Sequence, residues 1–126
     1  MEASQVSEAR DELRRQAREL RARIPEVWAA YAGMHKAVFA DGVLDTKTKE
    51  LIALAVSVAR QCDGCIDAHA LSAARRGASE QEVAEALGVT VALMGGPGTV
   101  FGPRAFDAYL DAAAKEKERT SHKTSQ

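Results

Sequence analysis

Aromatic residues are scarce in this chain: Phe, Trp and Tyr make up 5% of 126 residues. No stretch alternates β-branched and polar residues at period two, so a sheet-rich fold is excluded. Charge of one sign is also lacking. The net charge of −1 leaves no electrostatic case for nucleic acid as a partner. No apolar run reaches the ~20 residues that span a bilayer, so no membrane-spanning helix is expected. The first 23 residues are polar and rich in Arg and Glu, without the apolar core of a signal peptide. The expectation is a cytoplasmic protein. There are only two cysteines, and in a reducing compartment such a pair is more often catalytic or metal-binding than structural. The length fits one core without disulfide staples.

What is present is alanine and helical spacing, which predict an all-α chain of about six helices. Leu13, Ala17, Leu20 and Ile24 mark an amphipathic helix over about 7–23, whose mixed charges read as a solvated face. Pro25 suits the first turn of a second helix, which runs to about Phe39 and carries Trp28, Tyr31 and Phe39 as core candidates. Asp41-Gly42 breaks it, and Asp45 or Thr46 caps a third helix ending near Arg60. That helix is apolar on nearly every side, as expected of a buried helix or an oligomer interface.

A fourth helix starts at Cys62-Asp63-Gly64-Cys65 and stops at Arg75-Arg76-Gly77. Ser79-Glu80-Gln81-Glu82 is a capping box for the fifth, which runs into Gly95-Gly96-Pro97-Gly98. Gly95-Gly96 is read first as a close-packing point and second as room beside the thiols. The last helix holds Phe101, Ala105, Phe106, Tyr109 and Leu110, with Pro103 in its first turn or at a kink. The predicted division is an N-terminal helix (1–24), a helical domain (25–114) and a flexible tail (115–126).

The cysteine motif carries the chemistry. Two thiols three residues apart can close a disulfide within one helical turn. A helix N-terminus favours the thiolate that starts such chemistry. An ordinary thiol has a pKa of about 8.5, and a shift of about two units makes thiolate the major form at neutral pH. Asp63 and Asp67 oppose that shift, since nearby carboxylates raise a thiol pKa. Cys62, Cys65 and His69 fall at i, i+3 and i+7, one stripe of a helix, so His69 can carry protons for the thiols. Glu50 lies one helix earlier. In an antiparallel hairpin it falls farther from the thiols than a residue at the end of its helix, so periodicity alone does not place it in the site.

A competing reading makes Cys62, Cys65 and His69 three zinc ligands with Glu50 as a fourth. Structural zinc generally takes a second Cys or His pair, which this chain lacks, so no metal is assigned. Glu50 alone reads as a first-turn acid at a helix N-terminus. His35 has no local partner pattern, His122 lies in the tail, and Arg104 reads as a surface ion-pair residue.

The spacing Glu50-x11-Cys62-x2-Cys65-x3-His69 resembles the signature of the alkylhydroperoxidase D-like branch of the carboxymuconolactone decarboxylase family. The flanking runs Leu44 to Val56, Gly77-Ala78-Ser79 and Glu82-Val83-Ala84-Glu85 are similar as well, over about 25–110. The resemblance implies a helical fold with the Cys-x-x-Cys at the N-terminus of the fourth helix, assembled as a homotrimer or homohexamer. It implies a thiol-dependent peroxidase or disulfide reductase acting on hydroperoxides, with no cofactor. Cys65 would attack the peroxide and Cys62 would resolve the sulfenic acid. Glu50 would be the general base, working through His69 or a water. A dithiol of lipoyl type is one reductant the family uses. In the best-known members a histidine directly precedes the second cysteine; here that position is Gly64. Two other functions compete: a lactone decarboxylase, whose chemistry needs no cysteine pair, and a non-enzymatic redox-sensing oligomer.

Overall fold

The computed structural model describes residues 3–124, which form six α-helices. They are α1 (Ala3–Arg23), α2 (Pro25–Phe39), α3 (Thr46–Ala59), α4 (Asp63–Arg75), α5 (Glu80–Met94) and α6 (Gly96–Thr124). No strand occurs among the described residues. The all-α expectation holds, and the Cys-x-x-Cys motif opens the fourth helix as predicted. The chain divides into two compact units, one ending at Ala40 and one starting at Asp41.

In the first unit, α1 touches α2. Pro25 sits in the opening turn of α2, where its missing N–H costs nothing. No residue of α2 is buried. Trp28, Tyr31 and Phe39 therefore do not form the core expected of them; Tyr31 is 59% exposed. Two helices by themselves cannot enclose an interior. Tyr31 and Phe39 instead flank His35, whose ring stacks on Phe39 at 4.3 Å between centroids.

The second unit holds the core. Leu54 and Val58 of α3, Ile66, Ala70 and Ala73 of α4, Val83 and Leu87 of α5, and Ala105 and Tyr109 of α6 are buried together. Ile66, Ala70 and Ala73 follow i, i+4, i+7 spacing, and the small alanines let α4 lie close to α3 and α6. α3 is buried on one side only. Leu54 and Val58 are fully enclosed, while Ile52 and Val56 remain half exposed.

Polar contacts fix where these helices begin. Asp45 caps α3 through the Thr48 N–H at 2.8 Å. Asp41 accepts from both the N–H and the hydroxyl of Thr46, at 2.8 and 2.9 Å. Thr46, through its N–H and hydroxyl, holds the Asp41 carboxyl below its ordinary range, and Thr48, through its side chain and then its N–H, does the same for Asp45. The Ser79–Glu82 capping box opens α5 as predicted. Glu82 also takes Lys47 at 2.9 Å, which joins the first turns of α3 and α5.

The α5–α6 corner differs from the expectation for Gly95-Gly96. Gly95 takes a left-handed φ of 72° to end α5, and no atom lies within 4 Å of a side chain built at Gly96. The close approach occurs at Gly98, where a Cβ would meet the Val91 Cα at 2.9 Å. α6 then continues through Pro103 to Thr124. Its final turns carry Lys115–Asp111 and Arg119–Glu116 pairs at helical spacing.

Candidate active site

The motif is presented by an unusual turn. α3 ends with the Gln61 N–H on the Val58 carbonyl at 2.9 Å and the Cys62 N–H on the Ser57 carbonyl at 3.1 Å. This is the Schellman pattern, which places a left-handed residue between helix and exit and favours glycine there. Gln61 occupies that position with φ 53°. A side chain in this region costs about 1–2 kcal/mol. No glycine marks the turn in the sequence, so no signal was available to find it.

The chain leaves Gln61 directly into Cys62, which caps α4. The Cys62 Sγ accepts the Cys65 N–H at 3.3 Å. Cys62 and Cys65 are joined as a disulfide, with their Cα atoms 5.2 Å apart. Cys65 is exposed and Cys62 is half-buried. Both sulfurs lie in the first turn of α4, where unpaired N–H groups create a positive potential.

His69 lies one turn after Cys65, on the side of α4 next to the buried Ile66–Ala70–Ala73 stripe. Its Nδ1 is 2.8 Å from Glu50 Oε2 on α3. The Glu50 side chain is 6% exposed and the His69 side chain 17%. The contact joins Glu50 to His69. Glu50 stands well back from the C-terminus of α3, and His69 stands inward from the N-terminus of α4. Across the α3–α4 packing those two positions meet. A carboxylate on Nδ1 selects the tautomer with Nδ1–H and leaves Nε2 as the basic nitrogen.

The motif also carries an ion pair. Asp63 receives Arg104 of α6, Nη1 to Oδ1 at 2.8 Å, and the Arg104 guanidinium lies 4.7 Å from the Phe101 ring centroid. Sequence reasoning gave Arg104 a surface ion pair but not its partner in the motif. His122 lines a shallow surface cleft with Lys115, Glu118, Arg119 and Lys123. Among the described residues, no three His, Cys, Asp or Glu side chains are grouped to hold a metal ion. No helix among them is long and apolar enough to cross a membrane.

Fold and site together define an all-α protein with a Cys-x-x-Cys disulfide at a helix N-terminus, backed by a His–Glu pair. The sequence profile of the carboxymuconolactone decarboxylase family matches residues 25–108. The chain belongs to the carboxymuconolactone decarboxylase family. An uncharacterised protein of Cupriavidus necator is 39% identical over 88 residues, covering 70% of this chain and 77% of the relative. An uncharacterised cox-locus protein of Paracoccus denitrificans is 43% identical over 67 residues, or 53% of this chain and 60% of that protein. Among solved structures, a family protein of Legionella pneumophila superposes with a TM-score of 0.81 at 33% identity, covering 88% of this chain and 99% of its own. A family protein of Thermotoga maritima, suggested to take part in an antioxidative response, gives a TM-score of 0.74 at 31% identity, covering 87% and 94%.

Proposed function

We propose that this protein is a thiol-dependent peroxidase or disulfide reductase that cycles Cys62 and Cys65 between dithiol and disulfide. The single observation that carries the reading is the Cys62–Cys65 disulfide at the mouth of α4, one turn from the His69–Glu50 pair. In the oxidative half, the Cys65 thiolate attacks the distal oxygen of a hydroperoxide. The O–O bond breaks, the alkoxide takes a proton and leaves as alcohol, and Cys65 becomes a sulfenic acid. The Cys62 thiol then attacks that sulfur. The S–S bond forms and water departs. His69, oriented by Glu50, removes the proton from the attacking thiol and returns it to the leaving oxygen.

In the reductive half, a dithiol attacks the exposed Cys65 sulfur and expels Cys62 as thiolate. The Cys65 N–H and the α4 N-terminus stabilise that leaving group. The second thiol of the reductant closes its own disulfide and frees Cys65. A lipoyl-type dithiol fits this exchange because its ring closure is intramolecular. Gly64 stands where the best-known relatives carry a second histidine, so in this chain His69 and Glu50 alone serve as the proton relay.

Self-association belongs to the same proposal. Ile52 and Val56 on α3, and Val89 and Leu93 on α5, are between 50% and 84% exposed. Apolar surface of this kind supports a homotrimer or homohexamer. Stopped-flow peroxide consumption by the reduced protein tests the activity. Wild type should consume peroxide and Cys65→Ser should not; equal rates reject Cys65 as the nucleophile.

A further inference from the structure

Asp63 is an awkward residue for thiol chemistry. It is the first residue of α4 and sits between the two cysteines. A carboxylate there disfavours the thiolate that each half-reaction needs. The fold supplies a counter-charge from elsewhere in the chain. Arg104 comes from α6, and its Nη1 meets Asp63 Oδ1 at 2.8 Å. Phe101, one turn earlier on α6, lies beneath the same guanidinium, with 4.7 Å to its ring centroid. The cation is thus held from two sides: by a charge on α4 and by an aromatic face on its own helix.

We propose that Arg104 is a positioning residue for the redox chemistry, cancelling the Asp63 charge and so setting how readily the Cys62–Cys65 disulfide is reduced. The inference rests on the thiol-redox reading above. Exposure decides what the pair can do. The two side chains are 51% and 63% exposed, and an ion pair that wet adds little to folding stability. Asp63 nevertheless stands in the chain between the two cysteines whose sulfurs gain and lose charge, and it brings the Arg104 charge to the same helical turn. Arg60 at the end of α3, Asp67 and His69 on α4, and Glu50 through His69 are further ionisable groups near the motif in the chain, and an Arg104 variant leaves them unchanged.

The electron balance is simple. A dithiol gives two electrons to the S–S bond, which breaks, and becomes a disulfide itself. Its two protons go to the protein sulfurs, or one goes to solvent where a thiolate persists. With Arg104 in place, that thiolate does not face an uncompensated carboxylate. Without it, the reduced state is disfavoured and the disulfide becomes harder to reduce. One unit charge at a neighbouring, water-screened position corresponds to about threefold in an equilibrium constant.

The test is equilibration of the full chain, mildly above neutral pH, in mixtures of reduced and oxidised dithiothreitol. The protein dithiol fraction is read by thiol alkylation. Arg104→Gln should shift the equilibrium about threefold towards disulfide, about 14 mV. Arg104→Lys, which keeps the charge, should stay within about 1.5-fold of wild type. Asp63→Asn should shift it towards dithiol. In the Asp63→Asn background, Arg104→Gln should then move it by less than about 1.5-fold, because without the carboxylate the guanidinium is no longer held at the first turn of α4. Salt at about 0.5 M should shrink the Arg104→Gln shift. An unchanged equilibrium in Arg104→Gln, or an equal shift with and without Asp63, overturns the inference. Failure of the wild-type disulfide to exchange with dithiothreitol at all overturns the thiol-redox reading instead.

Discussion

The two ends of α4 are built on opposite principles. The C-terminal end closes on Gly77, at φ 81°, with the Gly77 N–H on Ala74 and the Ala78 N–H on Ala73. The buried Tyr109 hydroxyl donates to the Ala78 carbonyl just beyond it. Arg75 is tied to Glu116 at 3.0 Å, and Glu116 is held below its ordinary range by Arg119 and Arg75. At the N-terminal end the same Schellman pattern closes α3 immediately before Cys62, but with glutamine in the left-handed position. Its ion pair with α6 is solvent-exposed, and its cap is a sulfur. One end is locked by glycine and buried hydrogen bonds. The other is left strained, wet and reachable, which suits the thiol exchange proposed for it.

That contrast can be broken first at the relay. Glu50→Gln keeps a hydrogen-bonding group against His69 but removes the carboxylate. Peroxide reduction should fall about a hundredfold while helix content by circular dichroism stays at the wild-type value. A rate within a few-fold of wild type would show that the pair is merely structural.

Next in size is the locked end. Tyr109→Phe leaves the buried Ala78 carbonyl without its donor and should lower stability by about 1–2 kcal/mol in urea unfolding. Initial peroxide rates below the transition should be unchanged. Burial raises the Tyr109 pKa, and Glu80 and Glu82 add to the effect. The neutral phenol is the folded form, so its contribution is present below the ordinary tyrosine value near 10 and is lost as pH rises beyond it through the raised folded value.

The sharpest form of the comparison swaps the two turn residues. Gly77→Ala should cost about 0.5–1 kcal/mol, the left-handed penalty less the entropy removed from the unfolded chain. Gln61→Gly should gain about the same amount, by the same accounting in reverse. Equal signs for the two variants in denaturant melts would refute the claim that Gln61 is strained.

The smallest effect lies at acid pH. Asp41, Asp45 and Glu82 are held below their ordinary values, chiefly by hydrogen bonds from Thr46, Thr48 and Ser79 respectively. Depressed carboxyls contribute stability above the ordinary range near 4, and lose it as pH falls through the lowered values. Asp45→Asn, which keeps a capping group, should flatten that acid slope in urea melts taken at successive pH values.

How far the residues foretold the molecule follows from where the information resides. Helix starts were readable because Pro25, Asp45 and the Ser79–Glu82 box act on neighbours within one turn. The cysteine stripe was readable because a helix fixes i, i+3 and i+7. The Glu50–His69 contact was not, since it depends on how deeply two helices overlap, and that is set by packing among Leu54, Val58, Ile66 and Ala70. The close approach at Gly98 was assigned to Gly95-Gly96 because adjacent glycines look alike until a neighbouring backbone is placed. The aromatic side of α2 has the spacing of a core face, but spacing reports which residues share a face and not whether anything covers it.

The most direct measurement of the central claim is a single pulse of hydroperoxide on fully reduced protein, followed by alkylation and mass spectrometry. The account predicts that wild type loses both thiols together as the Cys62–Cys65 disulfide, and that Cys62→Ser stops at a sulfenic acid on Cys65. Two alkylatable thiols remaining in wild type after the pulse, or oxidation that begins on Cys62, would contradict it.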